Sequence, residues 1–390
     1  MAIFSGKMSF RRYAIVGGRP LTSGEIEESL NRWRFSEQME VGGIRAGWVL
    51  QDNLLDDDFS EDINRWSLPD GWAWFSYRRD VRSAPSGLLK ATVDQRVRAW
   101  CKENDRERCP RAVKAELREL AEHELSRRSL PKTTLADVAW NLQTGMICFG
   151  RPTGTQNEAF RKLFQQTFGL VPVVWNPLMG LPRDLAMAFY DQPWSRTMAG
   201  MFDREIVFPE ELPVATYDSS MVNLSRPLMD DVERWLLWLA WCGQQDRRVD
   251  DLVVTLDDRL VLQRYGGEGS GKASMSGPDV AGFPGIETAI VAGANPCELR
   301  LYVAREGEGD DSGWFVGLRG EFADTVRTGP VTAWDIDGES AAFEHMMMLQ
   351  ESVDLTDRLF AAWVRALVAP TWPETELAMR AFAADGDAEE

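Results

Sequence analysis

Two hydrophobic rhythms alternate along this chain: a period of two that marks half-buried strands, and a spacing of three or four that marks amphipathic helices. Ser9 to Val16 reads as a strand. Thr22 then opens a helix through a capping box, since Glu25 at the third helical position can return a hydrogen bond to the cap; Ile26, Leu30 and Trp33 form its buried face. Gly47 to Leu50 predicts a second strand, the acidic stretch Asp52 to Asp62 a loop, and the aromatic run Trp72 to Tyr77 a third strand. Two helices follow. The first runs from about Gly87 to Trp100 on Leu89, Val93, Val97 and Trp100; the second starts at Pro110 and buries Val113, Leu117, Leu120 and Leu125.

Beyond Pro131, Asp137 to Leu142 and Met146 to Gly150 make a hairpin around Gln143-Thr144-Gly145. Thr155 and Glu158 are expected to cap a helix that buries Phe160, Leu163, Phe164 and Phe168 and stops at Gly169, before a strand from Leu170 to Trp175. This mixture without strict βαβ alternation predicts an α+β fold, with an N-terminal sheet-and-helix domain over 1–176. A proline-punctuated connector spans 177–225. A C-terminal α+β unit over 226–384 opens with the helix Leu228 to Gly243, which is apolar nearly all round and therefore central. Within it, 246–337 reads as an antiparallel β insertion of short runs: Leu252 to Leu256, Leu260 to Leu262, Leu299 to Val303 and Trp314 to Leu318. Glu339 to Ala369 is one long helical pattern, and 385–390 form an acidic tail expected to be disordered.

Composition narrows the class. The most apolar run, Trp235 to Cys242, is far shorter than a membrane span, and no secretory signal pattern is evident, so a cytoplasmic protein with no membrane partner is expected. Five scattered cysteines with no Cys-x-x-Cys pair argue against a disulfide framework or a zinc cluster. Charge is the informative quantity. Between Arg78 and Lys132 the chain carries fifteen Lys/Arg against nine Asp/Glu, a local +6, whereas the whole sums to −18 and the remainder to −24. A solvated helical face accounts for such a segment taken alone. Set against the acidity elsewhere, positive charge on adjacent helices points to a polyanionic partner, and phosphate neutralisation needs only cations spaced along a surface.

Other constellations are weaker. Gly266 to Lys272 resembles a phosphate loop, but Ala273 replaces the magnesium-binding hydroxyl and Ser276-Gly277-Pro278 follows in place of a helix, so a hairpin loop is expected. Asp56, Asp57, Asp58, Glu61 and Asp62 lack the spacing of a calcium loop and read as a solvated loop. The two histidines, His123 and His345, sit inside predicted helices far from any metal-binding spacing. Most of the sixteen tryptophans, including Trp33, Trp100, Trp140, Trp235 and Trp238, fall on core-facing positions, while Trp66, Trp72 and Trp194 are open. No catalytic residue, metal or cofactor is expected.

Several motifs in order resemble the RdgC family of recombination-associated proteins. They are Phe10-Arg11-Arg12-Tyr13, Gly47-Trp48-Val49, the stretch from Arg78 to Lys90, Arg128-Ser129-Leu130-Pro131-Lys132, Asp137-Val138-Ala139-Trp140, and Leu163-Phe164 with Thr167-Phe168-Gly169-Leu170. Weaker matches run through Glu233 to Leu239, Met346 to Leu349 and Leu359-Phe360. The resemblance implies a non-enzymatic, nucleoid-associated protein. It implies a homodimer closed into a ring around double-stranded DNA, bound without sequence preference, that modulates homologous recombination by restraining RecA. By position it places the family's basic residues on Arg78, Arg79, Arg82, Lys90 and Lys132; the basic helices add Arg96, Arg98, Arg111, Lys114, Arg118, Arg127 and Arg128 as phosphate contacts. Competing expectations are a protein-interaction module without DNA binding and a metal-dependent nuclease built from dispersed carboxylates.

Overall fold

The computed structural model of the chain describes residues 8–16, 19–150, 153–175, 177–190, 228–244, 247–264, 271–277, 280, 289, 294–307, 312–319, 323–332 and 341–382. In chain order the elements are β1 (Met8–Val16), α1 (Ser23–Arg32), β2 (Ile44–Val49), β3 (Ser67–Leu68), β4 (Trp72–Val81), α2 (Ser86–Glu103), α3 (Arg111–Arg128), β5 (Lys132–Asn141) and β6 (Met146–Phe149). They continue with α4 (Gly154–Phe168), β7 (Val171–Val174), α5 (Arg183–Tyr190), α6 (Leu228–Gln244), β8 (Arg248–Val249), β9 (Leu252–Arg264), β10 (Gly271–Ser276), β11 (Asn295–Arg305), β12 (Trp314–Arg319), β13 (Thr325–Pro330), α7 (Ala341–Val368) and α8 (Trp372–Phe382). The fold is α+β with a large antiparallel sheet. Two compact units divide it: one of 1–21, 68–73 and 137–390, the other of 22–67 and 74–136. The expected boundary near Trp175 falls inside the first of these.

The first unit is built on antiparallel strands in the order β10-β9-β11-β12-β13-β1-β6-β5. β1 is the joint. Its first half pairs with β13, Phe10 opposite Val326, and its second half with β7, Tyr13 opposite Val174, while β6 takes the other edge with Arg12 opposite Cys148. The region 246–337 is therefore continuous with the strand that begins the fold. Two of its expected strands, Leu252 to Leu256 and Leu260 to Leu262, form a single strand β9, because Asp257, Asp258 and Arg259 between them pair with Arg300 and Glu298 of β11 and need no turn. Irregularities in the β9–β11 register absorb the mismatch.

Helices α6 and α7 contribute to the core of this unit through Trp235, Leu236, Leu239, Leu359, Phe360 and Trp363, all nearly inaccessible. The apolar circumference of α6 is thus explained by burial. Glu351, Arg358 and Arg365 of α7, seven residues apart and so on one line of the helix, form ion pairs with Arg305, Asp251 and Asp250. Arg12 of β1 is 2% exposed; its two terminal nitrogens each donate to Asp357 of α7 at 2.8 Å, and its guanidinium lies 4.2 Å from the Trp175 ring centre. Gly180 makes room for that carboxylate, since a Cβ there would stand 2.8 Å from the Asp357 Cγ.

α4 packs Phe160, Phe164 and Phe168 against one another as tilted pairs in the same unit and ends at Gly169 in the left-handed conformation, as its sequence predicts. Its start differs from the expected one. Thr153 is the N-cap, and its hydroxyl donates to the Gln156 side-chain oxygen at 2.7 Å and caps no backbone N–H, so Thr155 and Glu158 lie inside the helix. Residues 191–225 of the expected connector, Gly266 to Ser270, Trp194 and the acidic tail lie outside the described residues.

The second unit holds α1, β2, most of β4, α2 and α3. Thr22 and Glu25 form the capping box, with Ile26 and Leu30 buried and Trp33 half-buried at the far cap. Gly47 is required here: a Cβ on it would lie 2.5 Å from the Phe35 Cα. Trp48 packs edge-on to Phe75, and Trp66, fully buried, donates its indole N–H to the Phe59 carbonyl at 3.0 Å. α2 and α3 form a helical hairpin whose buried seam is only Leu89, Val93 and Ala121, with Ala84, Val97 and Leu125 packed against it. Leu120 is 55% exposed, contrary to expectation, because it sits one residue and about 100° from Ala121 and cannot share its face.

Candidate nucleic-acid interface

All twelve cations singled out by the sequence lie in the second unit, on β4, on the two helices and at the start of β5. Their surroundings divide them. Arg78 and Asp80, two apart on a strand and hence on one face, form an ion pair at 3.1 Å; the Arg78 guanidinium also lies 4.1 Å from the Phe35 ring centre and donates to the Leu54 carbonyl. Arg82 bonds Glu40 through Nε at 3.0 Å and donates through Nη1 to the carbonyl of Ser129 at 2.6 Å. That carbonyl belongs to the C-cap of α3, the negative end of the helix, where a cation is favoured. Arg96 of α2 reaches Glu124 of α3 at 2.5 Å, and Arg128 reaches the other oxygen of the same carboxylate at 2.9 Å. These four are engaged within the unit.

The other eight have no carboxylate within ion-pair distance among the described residues. Lys90, Arg98, Arg111, Lys114, Arg118, Arg127 and Lys132 are exposed, and Arg79, opposite Ala46 in the β2–β4 register, is half-buried. Helical spacing sorts α3 into sectors. Arg111, Lys114 and Arg118, separated by three and four residues, share one flank of the Ala121 line; Glu124 lies on the other. Glu116, Glu119 and Glu122, all exposed and three apart, form the sector beside the cations. A phosphate chain could therefore meet α3 along one strip, bordered by carboxylates that repel it.

Three further cations of the basic segment are not among the twelve candidates: Lys102 in the last turn of α2, and Arg106 and Arg108 in the connection to α3, all exposed. Glu103, Asp105 and Glu107 alternate with them and mask their charge in any short windowed sum; their place at the junction of the two predicted helices is the available signal. That turn is closed by backbone geometry. Asp105 adopts a left-handed φ of 52°, and the Arg106 N–H bonds back to the Cys101 carbonyl at 2.9 Å, so that an orphan helical carbonyl is satisfied.

The remaining candidates resolve simply. Arg65 gathers the acidic loop, bonding Asp52, Asp56 and Glu61, and its hydrogen bond holds the Asp56 carboxyl below the usual carboxylate range. Among the described residues no group of three His, Cys, Asp or Glu could hold a metal ion. Gly271 and Lys272 enter strand β10, so no helix N-terminus follows the glycine-rich run. His123 is exposed on α3, and His345 of α7 places Nδ1 2.8 Å from the Ala341 carbonyl. Cys148 and Cys242 are buried and burial pushes both thiols up to about 12, which suits packing and not nucleophilic attack. Trp66 and Trp72 are buried and offer no surface for base stacking. A cavity of about 260 Å³ in the first unit is lined by Leu252, Val303, Trp314, Met347 and Leu355, with Arg305 and Glu351 paired to each other at its wall. No helix among the described residues is long and apolar enough to cross a membrane.

No protein-family model matches the chain, and no curated protein matches it significantly.

Proposed function

We propose that this protein binds double-stranded DNA without sequence preference, as a ring-like homodimer of the RdgC type, is associated with the nucleoid, and modulates homologous recombination by restraining RecA. The observation that carries the reading is the surplus of unpartnered cations. In a chain of net charge −18, eight of the twelve candidate cations have no carboxylate within ion-pair distance among the described residues, and three of them line one flank of α3. Such a strip recognises phosphate spacing and not base edges, which favours sequence-tolerant binding. The ordered run of motifs from Phe10 to Leu170 supports the placement among recombination-associated proteins.

Titration of a random duplex at several salt concentrations tests this. If about five phosphates are neutralised, affinity should fall a few hundredfold between about 50 and 200 mM salt. Replacing Arg111, Lys114 and Arg118 together by Glu should abolish the shift while leaving the circular dichroism spectrum unchanged. Salt-insensitive affinity, or full affinity in the triple variant, would sink the reading.

A protein-interaction module is the second reading, favoured by one observation: Leu88 and Leu120 are 53% and 55% exposed on the same helical hairpin as the cations, and Leu130, just past its end, is 91% exposed. Capture of a protein partner that survives nuclease treatment, with no duplex binding, would select it.

A further inference from the structure

β10 ends the strand order of the first unit: it pairs with β9 on one side and with no other strand among the described residues. Its sequence, Gly271-Lys272-Ala273-Ser274-Met275-Ser276, alternates small or apolar residues with polar ones, the pattern of a strand with one face covered. The register tells which face. Ala273 stands opposite Leu262 and Met275 opposite Leu260, and residues opposite one another point to the same side of a sheet. Leu260 and Leu262 are 0% and 1% exposed, so Ala273 and Met275 continue the core layer outward. Yet every residue of β10 except Met275 is exposed. Apolar patterning therefore extends one strand further than burial does. Natural sheets usually blunt such an edge with charge, proline or a bulge. β10 has no proline and a single charge, Lys272.

We propose that β10 pairs antiparallel with β10 of a second copy of this chain, about a two-fold axis through Ser274. The strand is complementary to itself in that register. A two-fold normal to the sheet preserves its faces, so it sets Ala273 against Met275 and Lys272 against Ser276, while Ser274 meets its own counterpart. Small side chains meet apolar ones on the core side, and the two lysines never stand opposite one another. The central hydroxyls can hydrogen-bond across the axis, a favourable cross-strand pair. The two-fold makes the contact isologous and therefore closed, which uses up both edges and leaves none to propagate.

This deepens the proposed function only in naming the second copy's contact; it needs no DNA. Stable interfaces bury about 1,200–2,000 Å², more than one six-residue strand pair supplies, so association through this edge alone should be concentration-dependent. Sedimentation of the full chain without DNA, over about a hundredfold range of concentration, reads it directly. The wild type should pass from monomer toward dimer, and Ser274→Asp, which sets two carboxylates face to face on the axis, should move the midpoint about fivefold or more toward higher concentration. Ser274→Thr should not. Because Ser274 is exposed, unchanged thermal unfolding of both variants will confirm that the fold is intact. A wild type that stays monomeric throughout, or a Ser274→Asp variant that associates as the wild type does, overturns the proposal. Duplex titration of the α3 triple variant reports on DNA binding separately, so failure of one leaves the other standing.

Discussion

Arg12 of the first unit and Arg111 and Arg118 of the second mark opposite fates of arginine. In the first, Arg12 is sealed in: 2% exposed, held by both oxygens of Asp357, stacked on Trp175, with its Nη2 3.7 Å from the Met146 sulfur. In the second, Arg111 and Arg118 stand in solvent on a hairpin whose seam is three buried residues. A buried cation is tolerated only when its charge is met locally, so Arg12 is committed to the fold through Asp357, although its Nε has no hydrogen-bond partner among the described residues. An exposed one keeps its charge available because water solvates it at little cost. Basic residues in this chain are thus informative about partners only where burial and pairing leave them free.

Substitutions can test that contrast in one thermal-unfolding series. Arg12→Met should have the largest effect, a loss of about 3–5 kcal/mol, because it strands the Asp357 carboxylate without its partner. The double variant Arg12→Met with Asp357→Leu should recover most of that loss, since removing both charges lifts the desolvation cost as well. Failure to recover would mean that packing against Trp175, and not charge, dominates the site. Next comes Gly47→Ala, expected to cost about 1–3 kcal/mol because its Cβ would stand 2.5 Å from backbone atoms that cannot move aside. Arg96→Met, which breaks a half-exposed pair with Glu124, should cost no more than about 1 kcal/mol. A loss as large as that of Arg12→Met would erase the distinction between the buried pair and the half-exposed one. Smallest is Asp105→Gly, which should raise stability by about 0.5–1 kcal/mol, because glycine adopts the left-handed turn at 52° without strain.

Much of the local structure is written in the sequence, and the reason is distance along the chain. The capping box at Thr22, the stop at Gly169 and the heavy burial of α6 depend on residues within a turn or two of one another, so periodicity and cap chemistry disclose them. The pairing of β13 with β1 joins residues more than three hundred positions apart, and no local pattern announces it. The same holds for the bond from Arg12 to Asp357. The candidate site is legible to a similar depth. Sequence places all twelve cations in one segment, but it does not reveal that Arg96 is taken by Glu124, twenty-eight residues on, or that Arg82 turns toward the Ser129 carbonyl, forty-seven residues on. Arg78 was readable, because Asp80 two residues later on a strand must share its face. Glu116, Glu119 and Glu122 were readable too, and their sector beside the cations is a consequence of spacing alone.

The bond from Arg82 to the Ser129 carbonyl also fixes where the helical pair begins and ends, since it fastens the chain just before α2 to the chain just after α3. Whatever lies beyond that clasp can grow or shrink without disturbing the strands that carry it. Matched additions of about seven residues to each helix would extend the arm by roughly 10 Å and leave the clasp in register. Reach is thereby separated from anchorage, and a lineage could tune how far its cations extend by inserting paired helical turns while a single arginine keeps the base shut.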